Sequence, residues 1–241
     1  MTLIDRATAL TALKCLDLTS LKADEPPHEI QELIERAATI HGPVAAVCLY
    51  AKHLDQPYFS LPDARIKIAT VVNFPLGTQS PDQVARETTD AITKGAQEID
   101  LVLPYQDLSQ AAAVIRACRT AAGSSVLKVI LETGALSEEA SIDRASRIAL
   151  DQGVDFLKTS TGKTTVSATL AATDIMLQAI RSSGRTVGLK PSGGIKTMTD
   201  AAPFIQQAQQ ALGDLTPDNF RLGASSLLTD ILIALRKNEG A

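Results

Sequence analysis

Short apolar runs alternate with helical stripes eight times along this 241-residue chain, and that rhythm leaves few folds open. Residues 44–50, Val-Ala-Ala-Val-Cys-Leu-Tyr, form a continuous apolar run bounded by turn signals, which suits a strand covered on both faces. Comparable strand-like segments fall at 15–19, 66–74, 99–103, 126–131, 155–163, 186–194 and 220–226, some running on into loops. Between them, Ile30, Leu33, Ile34, Ala37 and Ala38 recur at helical spacing, as do Leu108, Ala112, Ile115 and Cys118. Ser80-Pro81-Asp82-Gln83 and Thr197-Met198-Thr199-Asp200 are capping boxes that open two more helices. Alternating strands and helices imply right-handed crossovers and a parallel sheet. Eight such units in a chain of this length predict a closed (β/α)₈ barrel, with a short extra helix over 5–14 and one domain spanning 1–241. An open dinucleotide-binding sheet would carry GxGxxG in its first turn, and the sequence has none.

Composition narrows the function classes. The formal net charge is −4, with 27 acidic and 23 basic residues, which argues against a broad basic surface for nucleic acid. Trp is absent and aromatics are scarce, so base-stacking platforms are not expected. No run of about 18 apolar residues occurs, so no membrane contact is expected. Cys15, Cys48 and Cys118 are an odd set without CxxC spacing, which fits a reducing cytosol better than a disulfide framework. No signal-peptide pattern follows Met1, and a cytoplasmic protein is expected. His28, His41 and His53 make no ligand set, so neither a metal nor another cofactor is expected.

Charges stand inside these aliphatic strands: Asp17 in the first, Asp100 in the fourth, Lys128 in the fifth, Lys158 in the sixth and Lys190 in the seventh. One strand-end lysine is ordinarily a side chain reaching for solvent. Five charges within one barrel must instead neutralise one another. Lys158 shares a strand face with Phe156 and Ser160, and Lys190 stands on the neighbouring strand. A second ammonium nearby lowers the pKa of the first, and a depressed lysine amine forms Schiff bases with carbonyls. Asp100 is expected to hold the cationic partner and a water for proton transfer. Gly162-Lys163, Gly193-Gly194 and Gly223-Ala224-Ser225-Ser226 follow strands six to eight, where barrels often bind phosphate on backbone N–H groups. Each alone reads as a turn; three in succession read as a phosphate pocket, with Lys163 and Lys196 supplying charge. Cys48 and Cys118 read as packing residues.

In this order, Leu16-Asp-Leu-Thr19, Glu98-Ile-Asp-Leu-Val-Leu-Pro-Tyr105, Asp155-Phe-Leu-Lys-Thr-Ser-Thr-Gly-Lys163, Gly188-Leu-Lys-Pro-Ser-Gly-Gly194 and Arg221-Leu-Gly-Ala-Ser-Ser226 resemble the deoxyribose-phosphate aldolase family nearly end to end. The resemblance implies a class I aldolase of deoxynucleoside catabolism. Its substrates would be a small phosphosugar and an aldehyde, 2-deoxy-D-ribose 5-phosphate yielding acetaldehyde and D-glyceraldehyde 3-phosphate. Lys158 matches the Schiff-base lysine, Lys190 the lysine that tunes it, and Asp100 the proton-transfer acid. Gly162, Lys163, Gly193, Gly194, Gly223, Ser225 and Ser226 match the phosphate loops. Asp17, Thr161 and Lys163 are similar to residues that arrange the sugar hydroxyls and phosphate. Two features depart from the pattern: the chain ends Asn238-Glu-Gly-Ala241 where some members carry a tyrosine, and Lys196 stands where arginine is common. Another Schiff-base aldolase, a pyridoxal-phosphate barrel and a phosphosugar sensor are the rival readings. Oligomeric state stays open, a homodimer included.

Overall fold

The computed structural model describes residues 4–237, so the expectation about the terminal 238–241 lies outside the described residues. Eight strands make one sheet: β1 (Leu16–Thr19), β2 (Ala46–Leu49), β3 (Lys67–Val72), β4 (Glu98–Val102), β5 (Val126–Ile130), β6 (Phe156–Lys158), β7 (Gly188–Lys190) and β8 (Leu222–Ala224). Their order is β8–β1–β2–β3–β4–β5–β6–β7, with every neighbour parallel. Two isolated parallel bridges, Leu189 to Phe220 and Ser192 to Gly223, bring β7 back to β8. Pro191 lies between them and has no N–H to give, which interrupts the ladder there. The expected (β/α)₈ barrel is the observed fold.

Helices α1 (Arg6–Lys14), α2 (Pro27–Arg36), α3 (Pro81–Thr93), α4 (Ala111–Ala122), α5 (Thr133–Leu136), α6 (Glu139–Asp151), α7 (Leu170–Ser183), α8 (Met198–Leu212) and α9 (Leu227–Lys237) surround it. Both capping boxes form, at Ser80 before α3 and Thr197 before α8. The additional helix α1, capped by Asp5, packs against α8 and α9.

Two local readings change. The helical stripe does not run through Ala38: α2 stops at Arg36, and Ala38–Thr39 pairs antiparallel with Gly42–Pro43. Gly42, at φ +118°, makes this tight reversal, and Thr39 Oγ1 bonds the Gly42 carbonyl at 2.7 Å. After β2 comes only a single 3₁₀ turn, Ala51–His53, in place of an α-helix. Pro57 and Pro62 punctuate that connection and oppose a helix there.

Strand alternation splits the residues into two sets. The outward set packs under the helices as one aliphatic core. The inward set is divided around the ring. Ala46, Cys48, Ala69 and Val71 line the β2–β3 side with Leu21, Tyr50 and Phe74. Charged residues occupy the other side, which fixes where chemistry can happen.

Candidate active site

The charged half of the barrel interior is one connected ion network. Register sets Asp100 beside Lys128 and Lys158 beside Lys190. Lys158 Nζ and Lys190 Nζ both donate to Asp100 Oδ2, each at 2.7 Å. Lys128 Nζ holds the other oxygen, Oδ1, at 2.9 Å. Lys190 also pairs with Asp17 at 2.5 Å, and Lys128 with Glu98 at 2.6 Å. Below them Arg221 gives Nη2 to Glu98 at 2.7 Å and Nη1 to Asp17 at 2.6 Å. Asp17, Asp100, Lys128 and Lys190 are fully buried, and Lys158 is 3% exposed.

Counted formally, three carboxylates face four basic groups, so one base lacks a counter-charge. Unpaired charge inside a barrel is expensive, and the network is most stable when one proton is shed. Arginine keeps its proton at any working pH. Burial opposes the Lys190 ammonium, but Asp100 and Asp17 overcome it and raise its pKa. Burial opposes Lys128 too, and Asp100 and Glu98 raise it likewise. Lys158 differs. Burial lowers its pKa, Asp100 recovers only part of the loss, and the Lys190 ammonium pushes it further down. Against their own burial, Asp100 is held well below the usual carboxylate range by Lys128, Lys158 and Lys190. Arg221, Lys190 and Lys128 do the same for Asp17. Of the four bases, Lys158 alone is pushed towards its neutral form.

Above the network a cavity of about 260 Å³ opens at the C-terminal ends of the strands. Lys158 reaches it from below. Its walls are the loops after β6, β7 and β8, with Ser20 and Lys22 from the loop after β1. Gly162, Gly193 and Gly194 adopt φ of +75°, +82° and +80°. A Cβ on Gly193 would sit 2.6 Å from Ser167 Oγ and 3.1 Å from Gly162 Cα, so two loops meet only because no side chain intervenes. Thr159 Oγ1 ties them, donating to the Ser192 carbonyl at 3.1 Å and accepting its N–H at 2.9 Å. Glu132, in a left-handed conformation at the end of β5, accepts the hydroxyls of Thr161 and Thr164 and so anchors the β6 loop. A Cβ on Gly223 would lie 3.2 Å from Lys190 Cε; glycine there leaves room for that lysine.

The family model described as DeoC/LacD family aldolase matches residues 3–232. The chain belongs to this aldolase family. It is 47% identical over 245 residues to a deoxyribose-phosphate aldolase of Agrobacterium fabrum, covering 98% of this chain and 95% of that one. A solved apo-form structure from Toxoplasma gondii, assigned to deoxyribose-phosphate aldolase, superposes with a TM-score of 0.89 at 27% identity, covering 96% and 97% of the two chains. The tetrameric deoxyribose phosphate aldolase of Aeropyrum pernix shares the fold, with a TM-score of 0.76 at 20% identity over 95% and 92% of the chains. The aldolase is accordingly a carbon–carbon lyase.

Within this aldolase, Thr161, Gly162, Lys163, Gly193, Gly194, Gly223, Ser225 and Ser226 all line the upper cavity together with Lys158, as does Lys196. Asp100 and Lys190 lie directly beneath. Asp17, expected among the substrate-binding residues, does not line the cavity but is fully buried between Lys190 and Arg221, paired with both. Lys163 lines the wall, but its Nζ donates to the Leu21 carbonyl at 2.7 Å, bracing the loop after β1. Cys48 faces Lys158 across the barrel, and burial pushes its thiol up. Glu98 and Arg221 were not singled out by the sequence reading. Glu98 stands two residues before Asp100, on the same strand face, and that alternation is the signal that points to it. Among the described residues, no group of three or more His, Cys, Asp or Glu is arranged to hold a metal, and no helix is long and apolar enough to cross a membrane. A second cavity, about 700 Å³, opens at the opposite, N-terminal end; barrel chemistry sits at the C-terminal end, where the lysine and the glycine loops converge.

Proposed function

We propose that this aldolase reversibly cleaves 2-deoxy-D-ribose 5-phosphate to D-glyceraldehyde 3-phosphate and acetaldehyde through a Schiff base on Lys158. One observation carries the reading: the amine with the lowered pKa stands at the floor of a cavity walled by three glycine- and hydroxyl-rich loops. The name of the 47% identical relative supports the substrate.

The neutral amine adds to the C1 aldehyde of the open-chain sugar, and the carbinolamine loses water to give an imine. The C3 hydroxyl then loses its proton, the C2–C3 bond breaks, and its electron pair moves towards the imine nitrogen. C3 becomes the aldehyde of glyceraldehyde 3-phosphate, and C1–C2 remain as an enamine. Protonation at C2 and hydrolysis of the imine release acetaldehyde and restore the amine. The imine nitrogen is the electron sink, so the scheme uses no cofactor. Asp100 Oδ2 touches both Lys158 and Lys190, which suits the pair to pass protons through it or through a water it holds. The phosphate would rest on the N–H groups of the Gly193–Gly194 and Ser225–Ser226 loops, the latter leading into α9, with Lys196 and Lys22 alongside. Three buried, unbridged cysteines suit a reducing cytoplasm.

Borohydride reduction with acetaldehyde is expected to label Lys158 as a single stoichiometric site in peptide mass mapping. Label on Lys128 or Lys190 instead would overturn the assignment. Lys196→Ala is expected to raise KM for the phosphorylated sugar about tenfold, the loss of one charge-assisted contact, with little change for unphosphorylated deoxyribose. Equal losses on both sugars would mean that these loops are ordinary turns.

A further inference from the structure

We infer that Arg221 and Glu98, at the N-terminal end of the barrel, are a positioning pair that decides which lysine of the network serves as the free amine; the inference rests on the reading of Lys158 as the imine-forming residue. Neither side chain lines the upper cavity, and both reach the wall of the lower one. Arg221 is held on every side. Its fork grips Glu98 at 2.7 and 3.0 Å, Nη1 also reaches Asp17 at 2.6 Å, and Nε donates to the Pro217 carbonyl at 2.5 Å. Its guanidinium lies 5.6 Å from the centre of the Phe156 ring. A guanidinium so placed is a fixed positive charge.

Two routes of ion pairs join that charge to the amine. One runs through Asp17, Lys190 and Asp100, the other through Glu98, Lys128 and Asp100. Around Lys158 itself stand Asp100 from β4 and Lys190 from β7, with the neutral Cys48 thiol from β2; Lys128 on β5 acts through Asp100, and Asp17 on β1 through Lys190. In this set Glu98 supplies one of three negative charges and Arg221 one of three permanent positive ones, Lys158 being the fourth, uncharged base. Remove either alone and the count changes by one, in opposite senses. A pair that only filled the barrel floor would not have signed effects at a distance.

The test is the pH dependence of imine formation on Lys158, followed by borohydride trapping with acetaldehyde, in Glu98→Gln, Arg221→Gln and the double variant. In Glu98→Gln, three permanent cations face two carboxylates, and the midpoint is expected to fall by about one pH unit, as for one charge acting over about 10 Å at an effective dielectric near 20. In Arg221→Gln, three carboxylates face two permanent cations, Lys158 is drawn into the vacant cationic role, and the midpoint rises by a similar amount. The double variant restores the count and returns the midpoint to that of the parent. Arg221→Lys keeps the charge without the fork and also leaves the midpoint in place. Should Arg221→Gln fail to fold, the downward shift in Glu98→Gln and its cancellation in the double variant carry the test. Shifts of the same sign in both single variants, or a midpoint unmoved in Glu98→Gln, overturn the inference. Absence of label on Lys158 in the parent overturns the aldolase reading itself, which keeps the two failures apart.

Discussion

Lys158→Met is expected to abolish imine formation and to lower kcat by at least about 10⁴-fold, while leaving the protein as stable as the parent or more so. The two halves of that result have one cause. On the proposed reading, the Lys158 amine serves as nucleophile because burial and Lys190 disfavour its charge. The same terms oppose folding wherever the unfolded chain would hold the proton. Here the folded pKa lies below the unfolded value of 10.5, so between the two the unfolded state binds more protons and parent stability rises with pH. Methionine, similar in length and without charge, removes that conflict and leaves Asp100 paired with Lys128 and Lys190. A gain of about 1 kcal/mol at neutral pH is in keeping with apolar replacement of a buried charge. It should shrink as pH approaches 10.5. Urea unfolding of both proteins from pH 6 to 10, beside turnover and trapping, measures it. A loss of about 3 kcal/mol or more would identify Lys158 as a cation the network needs, since that is the cost of breaking a buried pair.

Why Lys158 was legible in the sequence, and Arg221 was not, follows from where each stands. Asp17, Asp100 and Lys128 interrupt aliphatic runs, Lys158 and Lys190 close two more, and several charges in buried strands have few innocent explanations. Glu98 and Arg221 lie at strand beginnings, where charged residues ordinarily meet solvent, so their burial depends on closure of the whole ring. The bond from Lys163 to the Leu21 carbonyl joins residues 142 positions apart, and no local pattern encodes it. Asp17 is unusual by its place in an apolar strand, yet its neighbours, not its spacing, turn it from the cavity towards Lys190. The barrel itself was readable because eight apolar runs each carry a strand's length and a turn's punctuation. The helical stripe at residues 30–38 overran because Ala37 and Ala38 keep helical spacing, while the reversal at Gly42 takes Ala38 into a ladder instead.

Lys190→Leu is expected to raise the pH midpoint for imine formation on Lys158 by at least about one unit, whereas Lys190→Arg should hold it near that of the parent. Without Lys190, three carboxylates face Arg221, Lys128 and Lys158, and neutrality then requires Lys158 to keep its proton. Asp100 Oδ2, shared between the Lys158 and Lys190 Nζ atoms in the parent, would serve Lys158 alone. Both changes favour the charged amine. A higher pKa means less neutral amine at any fixed pH below it, so the alkaline-going limb moves up and the reactive fraction at pH 7 falls about tenfold per unit. Arginine preserves the positive charge next to Asp17 and Asp100 but cannot give up a proton. Turnover in Lys190→Arg should therefore fall even where imine formation does not, because proton exchange through Asp100 is lost. Its planar fork is larger than an ammonium, and the space beside Gly223 is tight, which adds to that loss. Trapping isolates the first step and kcat reports the rest, so the two variants separate charge from proton transfer. If both leave the trapping midpoint unmoved, Lys190 does not tune Lys158, and burial alone accounts for the nucleophile.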